Sequence, residues 1–153
     1  MRGTQFNKLR NLPYISPMTS TPMAPVSWGE LLDKITILQI KAERLTDAAK
    51  RANVVTELTL LSQIAGAALQ EAAALVAELK TINEALWQIE DQIRDKEAAG
   101  AFDAEFIALA RSVYVTNDRR AEVKRDINRA LKSQLVEEKS YKPYATGPAG
   151  GSK

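Results

Sequence analysis

Residues 75–93 read LVAELKTINEALWQIEDQI, and this stretch decides the fold. Its Leu75, Leu79, Ile82, Leu86, Ile89 and Ile93 recur at spacings of 4-3-4-3-4. An α-helix brings residues three and four apart onto one side, so these six side chains form a single apolar seam. A strand would need alternation of period two. A heptad sustained over nearly three repeats predicts a long helix that packs in coiled-coil fashion. Gly100 marks its end, since a glycine tolerates the left-handed backbone that closes many helices.

The same reasoning extends in both directions. Downstream, Asp103 is a capping residue for a further helix. Its seam is Phe106, Leu109, Val113, Thr116, Arg120, Val123, Ile127 and Ala130, with a polar break at Thr116 and Arg120. Upstream, Ser27-Trp28-Gly29-Glu30 fits the S-x-x-E capping box, with Val26 and Leu31 at the positions of a hydrophobic staple. Leu31, Ile35, Leu38, Ala42 and Leu45 follow as a seam, and Ile37 and Ile40 widen it. Thr46 or Asp47 caps a second helix with Val54, Leu58, Leu61 and Ala65 as its apolar face. Gly66 and its small neighbours predict a turn, or a kink in one continuous helix.

The expected fold is all-α: an antiparallel helical bundle of three to four long helices, with a long coiled-coil-like hairpin. At about 1.5 Å per residue, each arm of the hairpin is roughly 40 Å long. Three segments are expected. Residues 1–25 form a flexible basic arm rich in Pro, Ser and Thr, residues 26–132 the bundle, and residues 133–153 an extended strap with a Gly-rich tail.

Composition narrows the function classes. The chain has 153 residues, no cysteine and no histidine. It therefore has no disulfide, thiol nucleophile or Ser–His–Asp chemistry, and it lacks the usual zinc ligands. The net charge is +2, but Arg2, Lys8 and Arg10 stand in an acid-free arm, so the rest is slightly acidic. Nucleic acid is not an expected partner, since Asp118, Glu122 and Asp126 interleave with the basic residues 119–132 and no aromatics alternate with them. That run reads as a solvated, salt-bridged face. No segment is long and apolar enough for a membrane span, and a cytoplasmic location is expected.

The motifs assembled so far resemble a family of short bacterial proteins defined only as a domain of unknown function. The resemblance rests on residues 26–38 (VSWGELLDKITIL), 82–91 (INEALWQIED), 113–120 (VYVTNDRR) and 137–141 (EEKSY), and spans roughly residues 24–144. Members of that family begin just before the Pro-Val-Ser-Trp segment, so residues 1–22 read as an extension or a misassigned start. The resemblance implies no activity, cofactor or catalytic residue. Its association with surface-polysaccharide gene neighbourhoods implies, as an alternative, an accessory role in that biosynthesis.

One constellation deserves a site hypothesis. Asn83, Trp87, Glu90 and Arg94 lie at i, i+4, i+7 and i+11 beside the apolar seam. Tyr114, Asn117, Asp118 and Arg120 interrupt the next seam at the level where an antiparallel partner would meet them. One reading is a ligand pocket formed by Asn83, Trp87, Glu90, Tyr114, Asn117, Asp118 and Arg120, with Arg120 gripping an anion and Glu90 or Asp118 orienting it. The other is a polar layer that fixes helix register. Half-matches to magnesium-binding E-x-x-D motifs (Glu30 to Asp33) carry little weight, and neither a metal nor a cofactor is expected.

The favoured function is a non-enzymatic interaction or scaffold module that self-associates or binds a protein partner. The alternative is a small-molecule enzyme or anion binder near Glu90 and Arg120.

Overall fold

The computed structural model describes residues 21–140. Most of the basic arm, the Gly-rich end, Tyr141 and Tyr144 lie outside the described residues. Within them the chain is all-helical: α1 (Trp28–Arg44), α2 (Ala48–Ala65), the short α3 (Ala68–Glu71), α4 (Ala73–Ala98) and α5 (Ala104–Ala130). No helix among the described residues is long and apolar enough to cross a membrane.

The capping chemistry sets the boundaries. Ser27, Asp47 and Asp103 each accept a backbone N–H of the first turn, from Glu30, Lys50 and Phe106 respectively. Gly66 and Gly100 end α2 and α4 with φ of 51° and 62°, the left-handed region that side chains disfavour. The chain turns at Gly66, so α2 and α4 are separate helices joined through α3.

Two local expectations need correction. The capping box is half-formed: Ser27 does its part, but the Glu30 carboxylate accepts from Lys124 Nζ at 2.6 Å. An ammonium on a neighbouring helix outcompetes a neutral backbone N–H for that anion. Val26, placed at the staple position, is mostly exposed.

The core gathers at one end of the long helices. Leu31, Leu32 and Ile35 from α1, Leu79 from α4, and Val123 and Ile127 from α5 are buried together with Ala65 and Ala72. Leu58 and Leu61 of α2 pack against that cluster from the side. Helix α1 thus contacts α2, α4 and α5, and α4 also lies along α5. Ion pairs tie α4 to α5, Lys96 to Asp103 at 2.9 Å by the turn and Glu78 to Arg119 farther from it. Along α4 beyond Asn83, and along α5 before Ala121, no residue is fully buried.

The start of α1 is sealed by the far end of the chain. Its first N–H groups have no partner within the helix. Trp28 N–H donates to Ser133 Oγ at 3.2 Å and Gly29 N–H to Asn128 Oδ1 at 2.6 Å. Gly29 is required for this approach, because a Cβ there would stand 2.5 Å from the Lys124 carbonyl oxygen. Gly29→Ala should therefore push α1 off α5 and destabilise the fold by about 1–3 kcal/mol, an overpacking cost read from chemical denaturation.

Candidate functional site

A buried carboxylate, Asp33, organises the polar residues of three helices. It lies on α1 beside Leu32 and Ile35, and its side chain is only 3% exposed. Water cannot solvate a charge there, so protein donors must. Arg120 on α5 supplies two of them. Its Nε donates to Asp33 Oδ1 at 2.9 Å and its Nη2 to Oδ2 at 2.6 Å, a bidentate fork. Asn83 on α4 adds a third, Nδ2 to Asp33 Oδ1 at 2.9 Å. The same Nδ2 group donates to Thr36 Oγ1 at 2.9 Å, and Thr36 Oγ1 donates to the Asp33 carbonyl at 2.8 Å. The hydrogen bonds to Asp33 hold the Arg120 guanidinium above its ordinary value despite partial burial, so the guanidinium stays charged.

Next to this layer α1, α4 and α5 leave a cleft of about 470 Å³. Asn83, Asn117 and Arg120 line it, with Ile37, Ile40, Leu86 and Trp87 as apolar wall and Glu90, Asp91 and Arg94 along α4. Arg120 reaches Asn117 Oδ1 through Nη1 at 3.4 Å. Glu90 pairs with Arg94 at 3.3 Å, and the Arg44 guanidinium stands 5.6 Å over the Trp87 ring.

Five of the seven residues singled out from sequence line this cleft: Asn83, Trp87, Glu90, Asn117 and Arg120. Tyr114 and Asp118 do not. At 100° per residue Asp118 points a quarter-turn away from Asn117, and Tyr114 lies on the same outward side. The expectation that Arg120 grips an anionic ligand meets a different arrangement, since its fork is closed on Asp33. In the sequence Asp33 stands out only as the end of the Glu30–Asp33 E-x-x-D half-match. Its signal was its position: Asp33, Thr36 and Ile40 share one face of α1, so the carboxylate sits on the line that Ile40 continues.

A second cluster lies along the same α1–α5 contact. Lys124 belongs to the charged run expected to face solvent, but it is buried, with Glu30 and Glu137 both at 2.6 Å from its Nζ. It lies four residues past Arg120 and hence on the side facing α1. Burial pushes the Lys124 ammonium down, but the hydrogen bonds to Glu137 and Glu30 outweigh it, so its value ends above the ordinary 10.5. The same bond to Lys124 holds the Glu137 carboxyl below its ordinary 4.5. Glu137 and Ser133 thereby fasten residues 133–137 to the start of α1. Among the described residues no three acidic side chains converge as metal ligands.

Two outcomes follow from these clusters. Arg120→Lys keeps the charge but loses the planar fork, and should cost about 1–2 kcal/mol in denaturant unfolding. Glu137, with its lowered folded value, contributes fully above its ordinary titration range and loses that contribution as pH falls through the folded value. Lys124, with its raised value, loses its share only as pH rises through that value. Unfolding free energy from chemical denaturation should therefore fall as pH drops through the folded value of Glu137, and Glu137→Gln should lower it already at neutral pH and flatten that fall.

No curated protein and no solved structure matches the chain. Residues 23–152 match the model of a family described as being of unknown function, DUF6165. The match takes in α1 to α5, in keeping with the resemblance to a domain of unknown function, and the chain belongs to the DUF6165 family.

Proposed function

We propose that the protein is a non-enzymatic interaction module, an antiparallel helical bundle whose α4–α5 hairpin reaches beyond the core and self-associates. The observation that carries this reading is the outward face of α5. Ile107, Tyr114 and Val115 are 57%, 40% and 44% exposed along it, and Phe102 is exposed at the tip. Asp103, Ile107, Arg111, Tyr114, Asp118, Glu122, Arg125 and Arg129 recur at spacings of three and four, so α5 carries a second stripe opposite the seam toward α4.

Charge supports a second copy as the occupant. The stripe begins at Asp103 and ends at Arg125, Arg129 and Lys132. Two α5 helices packed head to tail about Tyr114 and Val115 bring each acidic start beside the other's basic end. A two-fold arrangement of this kind is the commonest route to a closed dimer. Residues 133–140 act in this reading as a strap, and the module works in the cytoplasm. The closed Asp33–Arg120 fork supports a structural rather than catalytic use of the most polar residues.

Multi-angle light scattering on the full chain should give twice the monomer mass. Ile107→Asp combined with Val115→Asp should return the monomer while the helical circular dichroism signal is retained. A wild-type chain that is monomeric at high protein concentration contradicts the reading.

A further inference from the structure

The far end of α5 carries a groove of about 480 Å³, lined by Arg125, Asn128, Arg129, Lys132, Ser133 and Val136. The turn after the helix builds it. Lys132 adopts a φ of 51°, and the N–H groups of Lys132 and Ser133 donate back to the Arg129 and Asn128 carbonyls at 3.2 and 2.8 Å. The chain then returns toward the start of α1, where Glu137 meets Lys124, and Val136 becomes a wall of the groove. The balance of charge there is positive. Arg129 is met by Asp126 and Glu137 by Lys124. Arg125 and Lys132 are exposed, with no side-chain ion pair or hydrogen bond among the described residues. Glu138 and Lys139, next along the chain, carry opposite charges. Leu135 and Val136 add apolar surface, 46% and 54% exposed.

The tip of the α4–α5 hairpin is its complement. Residues 90–105 hold six acids and two bases. Lys96 is taken up by Asp103 and Glu105, and Arg94 by Glu90. Asp95 and Glu97 are exposed, with no side-chain ion pair or hydrogen bond among the described residues. Amid these charges Phe102 is 60% exposed, its ring set edge-on to Phe106 at 5.2 Å. A phenyl ring left in water gains by burial, and a cavity of roughly 150 Å³ is enough to hold benzene.

We infer that Phe102 of one copy enters this groove in a second copy, with the acidic tip set against Arg125 and Lys132. The inference rests on the head-to-tail pairing of α5 proposed above and names where that pairing is anchored. The lengths agree. At about 1.5 Å per residue, α5 begins about 16 Å before a centre at Tyr114 and Val115, with Phe102 just outside it. Arg125 to Arg129 stand about 16–22 Å beyond the same centre. The two-fold repeats the contact at the other end, so a dimer seats two rings in two grooves. Salt screens the exposed charges, which orient the approach, while the buried ring carries the affinity.

Phe102→Ala, a change outside the core, should leave the helical circular dichroism of the full chain intact. In a light-scattering dilution series it should raise the dimer Kd at least about tenfold. Crosslinking locates the ring. The chain has no cysteine, so Ala101→Cys and Val136→Cys can be placed in separate full chains. Mixed under mild oxidation, the two should form a disulfide between positions 101 and 136, identified by mass. Either variant alone should stay uncrosslinked, because like positions lie roughly 40 Å apart across the two-fold and a disulfide needs Cα atoms within about 7 Å. Arg125→Glu with Lys132→Glu in the Val136→Cys chain should slow the crosslink about fivefold. The inference is overturned if Phe102→Ala dimerises as tightly as the wild type, or if the charge reversal leaves the crosslink unchanged. It is equally overturned if Ala101→Cys crosslinks to Leu60→Cys on α2 as fast as to Val136→Cys. A monomeric wild type overturns the α5 pairing and its anchor together, whereas a dimeric wild type with any of those three results overturns the anchor alone.

Discussion

The Asp33 carboxylate is the constraint on which the arrangement of α1, α4 and α5 depends. It is a charge on the apolar face of α1, between the core residues Leu32 and Ile35, and buried from water. An ion in that position is tolerated only if donors from other elements replace its hydration. Arg120 of α5 and Asn83 of α4 do so, each at 2.9 Å from Asp33 Oδ1. Three helices are therefore tied to one atom. Apolar seams alone would tolerate a slide by a turn, because Leu and Ile side chains are interchangeable along them. The fork does not, since a slide of one turn would leave the carboxylate without partners.

The same register propagates along α5 toward its end. Arg120, Lys124 and Asn128 stand four residues apart on one face. They meet Asp33, Glu30 and Gly29 in turn, at separations of 2.6 to 2.9 Å. The fork, the lysine pair and the glycine approach are thus three rungs of a single contact. The third rung explains the glycine, because only a residue without a Cβ lets Lys124's carbonyl come so near. The second rung also holds Glu137, and Ser133 accepts the Trp28 N–H beside the third, so the chain beyond α5 is fastened where α1 begins. On the other side of Asp33, α1 ends at Arg44 while α4 and α5 continue. The cleft opens where α1 runs out, with Arg44 over Trp87 at its edge.

Much of this was legible in the chain. The capping residues Ser27, Asp47 and Asp103 and the glycines at 66 and 100 mark helix ends through local chemistry, which needs no knowledge of the rest of the fold. Asn83, Trp87, Glu90, Asn117 and Arg120 could be grouped because pairing two helices about a turn near Gly100 puts them at one level. Asp33 escaped the grouping because its helix is distant in sequence, 87 residues from Arg120. The periodicity of α1 gives its apolar face but not which helix that face meets. Lys124 was misread for a related reason. Its neighbours Arg125 and Arg129 do face solvent, and composition cannot tell which member of a charged run turns inward. Tyr114 and Asp118 were included on proximity in sequence, whereas the helical rotation carries them to the outward face.

The central claim is that Arg120 serves Asp33, and a double-mutant cycle tests it most directly. Arg120→Leu leaves the buried carboxylate unpaired and should cost about 3–5 kcal/mol of unfolding free energy. Asp33→Leu leaves a guanidinium that is 26% exposed at the cleft and so should cost less. The double variant should recover much of the loss, giving a coupling energy of about 2 kcal/mol or more. Strict additivity of the two single changes, or an Arg120→Leu variant as stable as the wild type, would contradict the account.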